Sequence, residues 1–139
     1  MSCVVEVKQV PEQPIAVVRG VATMPNLPAR IRGLFDQFYA GFKGKGGLNV
    51  VFYPGWAAGE CEIACGVQVE QDGNAASPAG TVATTVHMGP YHLMKPAHEA
   101  IQLWARENGR RLAGPSWEVY GHWSDDPAKL RTDIYYLIE

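Results

Sequence analysis

The sequence predicts an α+β domain in which duplicated βαββ units form one antiparallel sheet, with two long helices on one face and a ligand cleft on the other. Each half of the chain contains one helical stripe of apolar residues. In each half a strand and a proline-marked turn precede the stripe, and two strands follow it. Two such units are expected to pair into a single sheet that carries both helices on the same face.

The first half, at about 1–72, begins with two strands joined by a turn at 11–14. Asn26 is a candidate N-cap for a helix over about 27–43, and Pro28 suits its first turn. The buried stripe of this helix comprises Leu27, Ile31, Leu34, Phe35, Phe38 and Phe42. Together with the pair after the helix, four strands are predicted here, at 4–8, 15–21, 48–53 and 61–69.

The second half, at about 78–139, repeats this order. A helix is expected over about 94–108, with Gly109 as a left-handed stop. Its buried face comprises Ala97, Ala100, Ile101 and Trp104. Strands are expected at 81–88, 116–123 and 132–138, with a turn and a short helical piece at 125–127. The whole chain, 1–139, is therefore interpreted as one domain.

Size and composition exclude several classes of protein. A chain of 139 residues and 15.2 kDa is enough for one domain with a real core. With 47% hydrophobic and 19% charged residues it is not a disordered chain. A net charge of −2 predicts no direct nucleic-acid partner and no anionic membrane surface. No stretch approaches the roughly 20 apolar residues of a membrane span, and no signal peptide is expected.

Neither a metal nor a cofactor is predicted. The odd number of cysteines, three, fits reduced thiols in the cytoplasm. Cys61 and Cys65 share a strand face but would lie roughly 13 Å apart, too far for one ion or a disulfide. The four histidines show no paired helical spacing, and the glycines at 44–47 lack the spacing of a phosphate-binding loop.

Strand alternation assigns residues to the two faces of the sheet. Trp117, Val119 and Trp123 are assigned to the helix side, which turns Glu118, Tyr120 and His122 toward the cleft. In the last strand, Ile134, Tyr136 and Ile138 suit the helices. Asp133, Tyr135 and Leu137 then face the cleft, as do Glu62, Ala64 and Gly66 of an earlier strand. Tyrosines and acids around small residues favour a flat, apolar and often cationic ligand.

Four segments in sequence resemble the GyrI-like small-molecule-binding family, which includes the effector-binding domains of multidrug-responsive transcription activators. They are the strand ending in Gly-Pro-Tyr at 84–91, the helix end and Gly-Pro connection at 104–115, the Glu-Val-Tyr strand at 116–120, and the closing segment with Asp126-Pro127 and 132–134. The resemblance is strong over 80–139 and extends over 1–79 only as element order. It implies a central cleft between the halves, in a stand-alone form of the domain.

By this resemblance, Glu118 corresponds to the buried acid that meets the positive charge of lipophilic drugs. Asp133 stands where the family often has glutamate, and it is one methylene shorter. Tyr91 is expected to overhang the cleft or to pack on a strand end. Tyr53 and Trp56 form the opposite wall or pack onto Phe52. The predicted ligand-binding residues are thus Glu118, Tyr120, Tyr91, Tyr53, Trp56, Glu62, Asp133, Tyr135 and His122.

The function predicted is a stand-alone cytoplasmic binding protein for aromatic, lipophilic and often cationic small molecules. One alternative is a hydrolase of strained cyclopropane-bearing compounds, as some GyrI-like proteins are. Glu118 with Tyr120, or Glu62, would then orient or deprotonate a water. Gly-x-Ser-x-Gly is absent, so an esterase would have no nucleophile. A second alternative is a protein partner of gyrase.

Overall fold

The computed structural model describes residues 3–139 and contains eight strands and two long helices. The helices are α1 (Leu27–Gly41) and α2 (Lys95–Glu107). The strands are β1 (Glu6–Val10), β2 (Gln13–Thr23), β3 (Asn49–Tyr53), β4 (Glu60–Gln68), β5 (Ala75–Ser77), β6 (Gly80–Met88), β7 (Leu112–Tyr120) and β8 (Arg131–Ile138). Short 3-10 helices cover Tyr91–Leu93 and Pro127–Lys129. The sequence did not predict β5.

All eight strands form one antiparallel sheet in the order β1-β6-β8-β7-β3-β4-β2-β5. Outward from the central β3–β7 pair, β4 and β2 lie on one side, and β8 and β6 lie on the other. The two halves share one chain order, which is β2-α1-β3-β4 in the first half and β6-α2-β7-β8 in the second. The predicted α+β class and the single antiparallel sheet are confirmed.

Helix α1 begins where proline is tolerated and ends before a run of glycines. Pro28 lies in its first turn, and Leu34 and Phe38 are buried beneath it. Asn26 precedes the helix, but its side chain accepts the backbone N–H of Thr23 at 2.7 Å and caps no helical N–H. The predicted N-cap position of Asn26 is confirmed, but its side chain makes no capping bond, because the amide oxygen closes the turn that leads from β2 into the helix.

Helix α2 buries one narrow face of small and branched residues. Ala97, Ile101 and Ala105 are buried, and Ile101 packs against Ala83 and Ile134 of the sheet. Gly109 follows at φ +62°, a left-handed conformation that glycine adopts without steric cost. The predicted helix stop at Gly109 is confirmed.

The sheet is strongly curled, because two very short links join its opposite edges. Only Pro11 and Glu12 separate β1, the first strand of the sheet, from β2, the seventh. Only Pro78 and Ala79 separate β5, the eighth, from β6, the second. Three Cα–Cα steps span at most about 11 Å, so the edges must approach each other. The result is a half-barrel.

The inside of this half-barrel is an apolar core made by strands alone. Its buried members come from five strands: Ile15, Val17, Val50, Ala64, Val82, Trp117 and Val119. Tyr135 stacks on Trp117 with ring centroids 5.5 Å apart and planes at 14°. Helices α1 and α2 pack on the other, outer face, where separate clusters form beneath each of them.

The central strand β7 faces the opposite way from the prediction. Trp117 and Val119 point into the half-barrel, and Glu118 points toward the helices, since it pairs with Val51 and Ile134 of the helix-side clusters. The prediction that Glu118 and Tyr120 face away from the helices is thus wrong. Both faces of β7 are buried, so the large apolar residues do not mark the helix side. The faces predicted for β4 and β8 agree with the structure.

Candidate functional site

The candidate site is centred on a glutamate in the middle of the sheet. Glu118 lies on β7, between Val51 of β3 and Ile134 of β8, and is only 4% exposed. Val51 packs with residues of α1, and Ile134 packs with residues of α2. Paired residues of antiparallel strands share a face, so the Glu118 carboxylate enters the sheet surface between the two helices.

Three side chains bind the two oxygens of this carboxylate. Tyr53 and Tyr120 donate their hydroxyls to Oε1, at 3.1 and 2.6 Å. Nε2 of His98, on α2, lies 2.6 Å from Oε2. Such hydrogen bonds to a charged acceptor are stronger than those between neutral groups. They hold the buried carboxylate in one orientation.

The two tyrosines occupy equivalent places in the two halves of the sheet. Tyr53 follows Val51 by two residues on β3, and Tyr120 follows Glu118 by two residues on β7. Because β3 and β7 run antiparallel, these side chains approach the central pair from opposite directions. The acid itself has no counterpart, since Val51 occupies its equivalent position.

A second layer of contacts orients the histidine. Nδ1 of His98 lies 2.7 Å from the Tyr136 hydroxyl, which also receives the amide of Gln102 at 3.4 Å. Tyr136 is on β8, whereas His98 and Gln102 lie one turn apart on α2. The chain of contacts from Gln102 through Tyr136 and His98 to Glu118 therefore joins α2 to the sheet.

The tyrosines around Glu118 remain protonated at neutral pH. Burial, and after it the nearby Glu118 carboxylate, raises the pKa of Tyr53 and of Tyr120 well above the ordinary value for tyrosine. Burial also raises the pKa of Tyr136 to about 12, although its hydrogen bond from Gln102 acts in the opposite direction. All three hydroxyls are thus available as hydrogen-bond donors.

Aromatic rings lie between the buried carboxylate and solvent. The ring of Tyr91 contacts Tyr120 edge to face, with centroids 5.2 Å apart, and Trp56 stacks on Tyr53 at 6.4 Å. Tyr91 is 36% exposed and Trp56 is 40% exposed, whereas Tyr53 is buried. We define Tyr53, Trp56, Tyr91 and Tyr120 as the aromatic rim. Its members were all predicted from the sequence, and the structure brings them together.

Four other predicted site residues lie outside this cluster. Glu62 is exposed, and Asp133 pairs with Arg131 at 2.9 Å. Both follow the alternation that faces away from the helices, as does Tyr135, which stacks on Trp117 inside the half-barrel. His122 is exposed beyond the end of β7. The structure thus separates these four from Glu118.

Three residues of the cluster were not among the predicted site residues. Tyr136 was assigned to the helix side of the sheet, but only as a core residue. His98 and Gln102 follow Ala97 and Ile101 by one position each, at the edge of the buried stripe of α2. The signal available in the sequence was a pair of polar residues four positions apart beside the buried stripe of α2. Such a pair indicates a site only when the strand that it faces is known.

The cysteines are free and do not combine with other ligands. Cys61 and Cys65 are buried, and Cys3 is half-buried. Burial, with a smaller effect of Glu118, raises the pKa of the Cys65 thiol to about 12, and burial also raises the pKa of Cys61. Within residues 3–139 no group of three metal-ligating side chains comes together.

No helix of this part of the chain is long and apolar enough to cross a membrane.

We expect the native protein to expose one reactive thiol to a disulfide reagent at pH 8. Cys3 should react quickly, whereas Cys61 and Cys65 are buried and have raised pKa values, which keeps them as unreactive thiols. A colorimetric titration should count one thiol before denaturation and three after it. Rapid release of two or three equivalents from the folded protein would contradict this burial.

A half-barrel with paired helices outside it and a tyrosine-bound acid between them defines a class of α+β ligand-binding modules. The chain belongs to the family described as the GyrI-like small molecule binding domain, whose sequence model matches residues 4–139. The family resemblance in the sequence is therefore confirmed. No curated protein gives a significant match.

Solved structures with a similar fold include the C-terminal domain of EcmrR, a complex with tetraphenylphosphonium and a hydrolase. The C-terminal domain of EcmrR is 20% identical, with a TM-score of 0.78, and the match covers 100% of this chain and 99% of that one. SAV2435 bound to tetraphenylphosphonium is 9% identical, with a TM-score of 0.72 and coverages of 100% and 94%. A hydrolase from Listeria innocua is 12% identical, with a TM-score of 0.61 and coverages of 97% and 91%.

Proposed function

We propose that this domain binds lipophilic organic cations between α1 and α2, with the positive charge of the ligand close to Glu118. The observation that supports this most is the buried carboxylate, which is bound by two tyrosine hydroxyls and bordered by the aromatic rim. Family membership supports a small-molecule ligand. The complex of SAV2435 with tetraphenylphosphonium supports the cationic class.

A buried acid favours a cation for electrostatic reasons. Removing a carboxylate from water costs several kcal/mol unless a cation or strong hydrogen bonds offset it. At the low effective dielectric of such a site, a ligand charge gains more from the carboxylate than it would in water. Aromatic faces add cation–π attraction and bury the apolar groups of the ligand. A delocalised cation is weakly hydrated, so it loses little hydration free energy when it enters the site.

Entry of a ligand requires the aromatic rim to move. Glu118 lines neither of two cavities, one of about 370 Å³ beside α2 and one of about 150 Å³ in the half-barrel. Tyr120 covers the carboxylate, and Tyr91 covers Tyr120. Tyr91 lies just after Gly89, whose φ is +130°, at the start of a short 3-10 helix. We infer that displacement of this turn opens the site.

We expect Glu118→Gln to weaken the binding of tetraphenylphosphonium by roughly 10- to 100-fold, because a hydrogen-bonded contact to a charged group is worth on the order of 1.5–3 kcal/mol. Triphenylphosphine oxide, which is neutral and has a similar shape, should lose little affinity. Isothermal titration calorimetry with both compounds measures the two effects.

The matched control for this substitution is Glu70→Gln, which removes an exposed carboxylate from the loop after β4. It should leave both affinities unchanged. Equal small losses for the two compounds in Glu118→Gln would remove Glu118 from the binding site. Absence of measurable tetraphenylphosphonium binding to the native protein would refute the proposed function.

A second candidate function is hydrolysis of strained, cyclopropane-bearing electrophiles. The buried Glu118 carboxylate supports it, because a carboxylate held in one orientation in a sheltered site can orient a water or take a proton from it. The Listeria hydrolase of the same fold also supports it. For a hydrolase, Glu118→Gln should abolish turnover and leave substrate affinity nearly intact, the reverse of its effect in a binding protein.

The proposal also covers the cellular compartment of the domain, its class of partner and its action without further domains. We place it in the cytoplasm, where three unpaired thiols persist. A net charge of −2 supports a small-molecule partner over direct contact with nucleic acid. The match to the complete EcmrR chain in its DNA complex covers 57% of that chain, so EcmrR carries additional parts. Action as a stand-alone domain is part of this proposal.

A further inference from the structure

We propose that His98 is a built-in competitor of the ligand, whose charged imidazolium form neutralises Glu118 so that lipophilic cations bind only when His98 is uncharged. This inference rests on the proposed function and adds a residue that decides when the site accepts a cation. It makes cation binding by this domain dependent on pH.

The contact between the two side chains is close and sheltered. Nε2 of His98 lies 2.6 Å from Oε2 of Glu118, and the two side chains are 21% and 5% exposed. Both tyrosine hydroxyls lie on the other oxygen, Oε1, so His98 alone among these partners can carry a positive charge to the carboxylate. Water screens such a sheltered pair much less than a surface pair.

The surrounding hydrogen bonds satisfy both protonation states of His98. The neutral ring donates from Nε2 to Glu118 and accepts the Tyr136 hydroxyl at Nδ1. The charged ring donates from both nitrogens, and the Tyr136 oxygen then accepts from His98 and from Gln102. A tyrosine hydroxyl can donate and accept, so neither form leaves the ring unpartnered. The site can therefore exist in either charge state.

The tyrosines and the cysteine near Glu118 keep their protons over the pH range of the experiment. Burial holds the pKa values of Tyr53 on β3 and Tyr120 on β7 well above normal. It raises those of Tyr136 on β8 and Cys65 on β4 to about 12. The positive charge of Arg30, on α1, acts in the opposite direction and lowers the pKa of Cys65. His87 on β6 lies on the same face, where it pairs with Thr132 and contacts the Pro90 carbonyl at 2.9 Å, so His87→Gln is measured beside the His98 variant.

The sign of the effect follows from charge alone. With neutral His98, the carboxylate retains its net charge and attracts a cation. With the imidazolium in place, the pair carries no net charge, and a second cation would lie beside the first. A phosphonium or quaternary ammonium group has no N–H with which to displace His98 from Oε2. Its affinity therefore falls as the pH falls, whereas the affinity of a neutral ligand does not change.

Calorimetric titrations of tetraphenylphosphonium between pH 5 and 9 test this proposal. In the native protein the affinity should level off at high pH and fall at low pH, approaching about tenfold per pH unit once His98 is charged. In His98→Gln, whose amide can still donate to Glu118, the affinity should not fall as the pH is lowered, whatever its level relative to that of the native protein. His92→Gln, a control at an exposed histidine, should behave like the native protein.

A flat profile in the native protein, or an equally steep one in His98→Gln, would overturn the role of His98 while leaving cation binding intact. Absence of binding at every pH would overturn the proposed function itself. The reciprocal effect, that of the ligand on His98, can be measured in the native protein without any variant. Saturating tetraphenylphosphonium should move the midpoint of the His98 ring-proton titration, followed by NMR, to lower pH. An unmoved midpoint would contradict the competition.

Discussion

Trp117→Ala is expected to lower the free energy of unfolding by about 3–5 kcal/mol, the usual cost of deleting a buried aromatic ring. Trp117 is only 4% exposed inside the half-barrel. It stacks on Tyr135 and contacts Phe52, with centroids 5.5 and 5.9 Å away. The strands on either side are tied into the sheet, so they cannot collapse fully onto the space left behind. Urea denaturation followed by circular dichroism measures the loss.

Trp123→Ala provides the matched control for this substitution. Trp123 is 72% exposed and makes one long hydrogen bond, at 3.3 Å to Asp125. Its removal should change stability by no more than about 0.5 kcal/mol. A similar, small effect of both substitutions would show that the inner face of β7 is an open surface and not a core.

Gly66→Ala is expected to destabilise the fold by about 3 kcal/mol, the upper end of the usual cost of overpacking. A Cβ at Gly66 would lie 1.8 Å from the carbonyl oxygen of Ala16 and 2.8 Å from the Cα of Val17. These atoms belong to the backbone of β2, which pairs with β4, so they can move only if the ladder is distorted. Thermal and urea denaturation should both show the loss.

The opposite sign is expected for the same substitution at Gly33. This glycine lies in the exposed interior of α1, where a Cβ would meet no atom within 4 Å. Alanine there should stabilise the protein by about 0.5–1 kcal/mol, because glycine has a low helix propensity. Destabilisation by Gly33→Ala, or tolerance of Gly66→Ala, would contradict the packing of these two elements.

Much of the fold was predictable because local patterns determine it. The stripe of α2 and the left-handed stop at Gly109 identify the second helix from the sequence alone. The alternation in β4 and β8 was also interpreted correctly, since in each strand one face carries the larger branched residues. Asn26 was predicted correctly as the N-cap residue, but its amide oxygen accepts the N–H of Thr23 and none of the helix, a competition among local partners that residue type does not reveal.

The faces of β7 were not predictable in the same way. Because both sides of this strand are buried, an alternation of polar and apolar residues does not identify its faces. Trp117 and Val119 were assigned to the helix side by their size, and this placed Glu118 in a cleft away from the helices. The acid was identified from its neighbours and from the family resemblance, but its partner His98 was not. That contact depends on the register that places Glu118 opposite Ile134, and on α2 crossing above it. Neither fact is contained in a local pattern.

The short links at Pro11–Glu12 and Pro78–Ala79 have a consequence for how the chain folds. Strand β1 belongs to the first half of the chain but pairs with β6 of the second half. The pairing of Glu6 with Thr84 joins residues that are far apart in the chain. Closure of the half-barrel thus depends on pairings that are distant in sequence, which slows folding. Although its two halves share one topology, we expect them to fold and unfold together as a single cooperative unit.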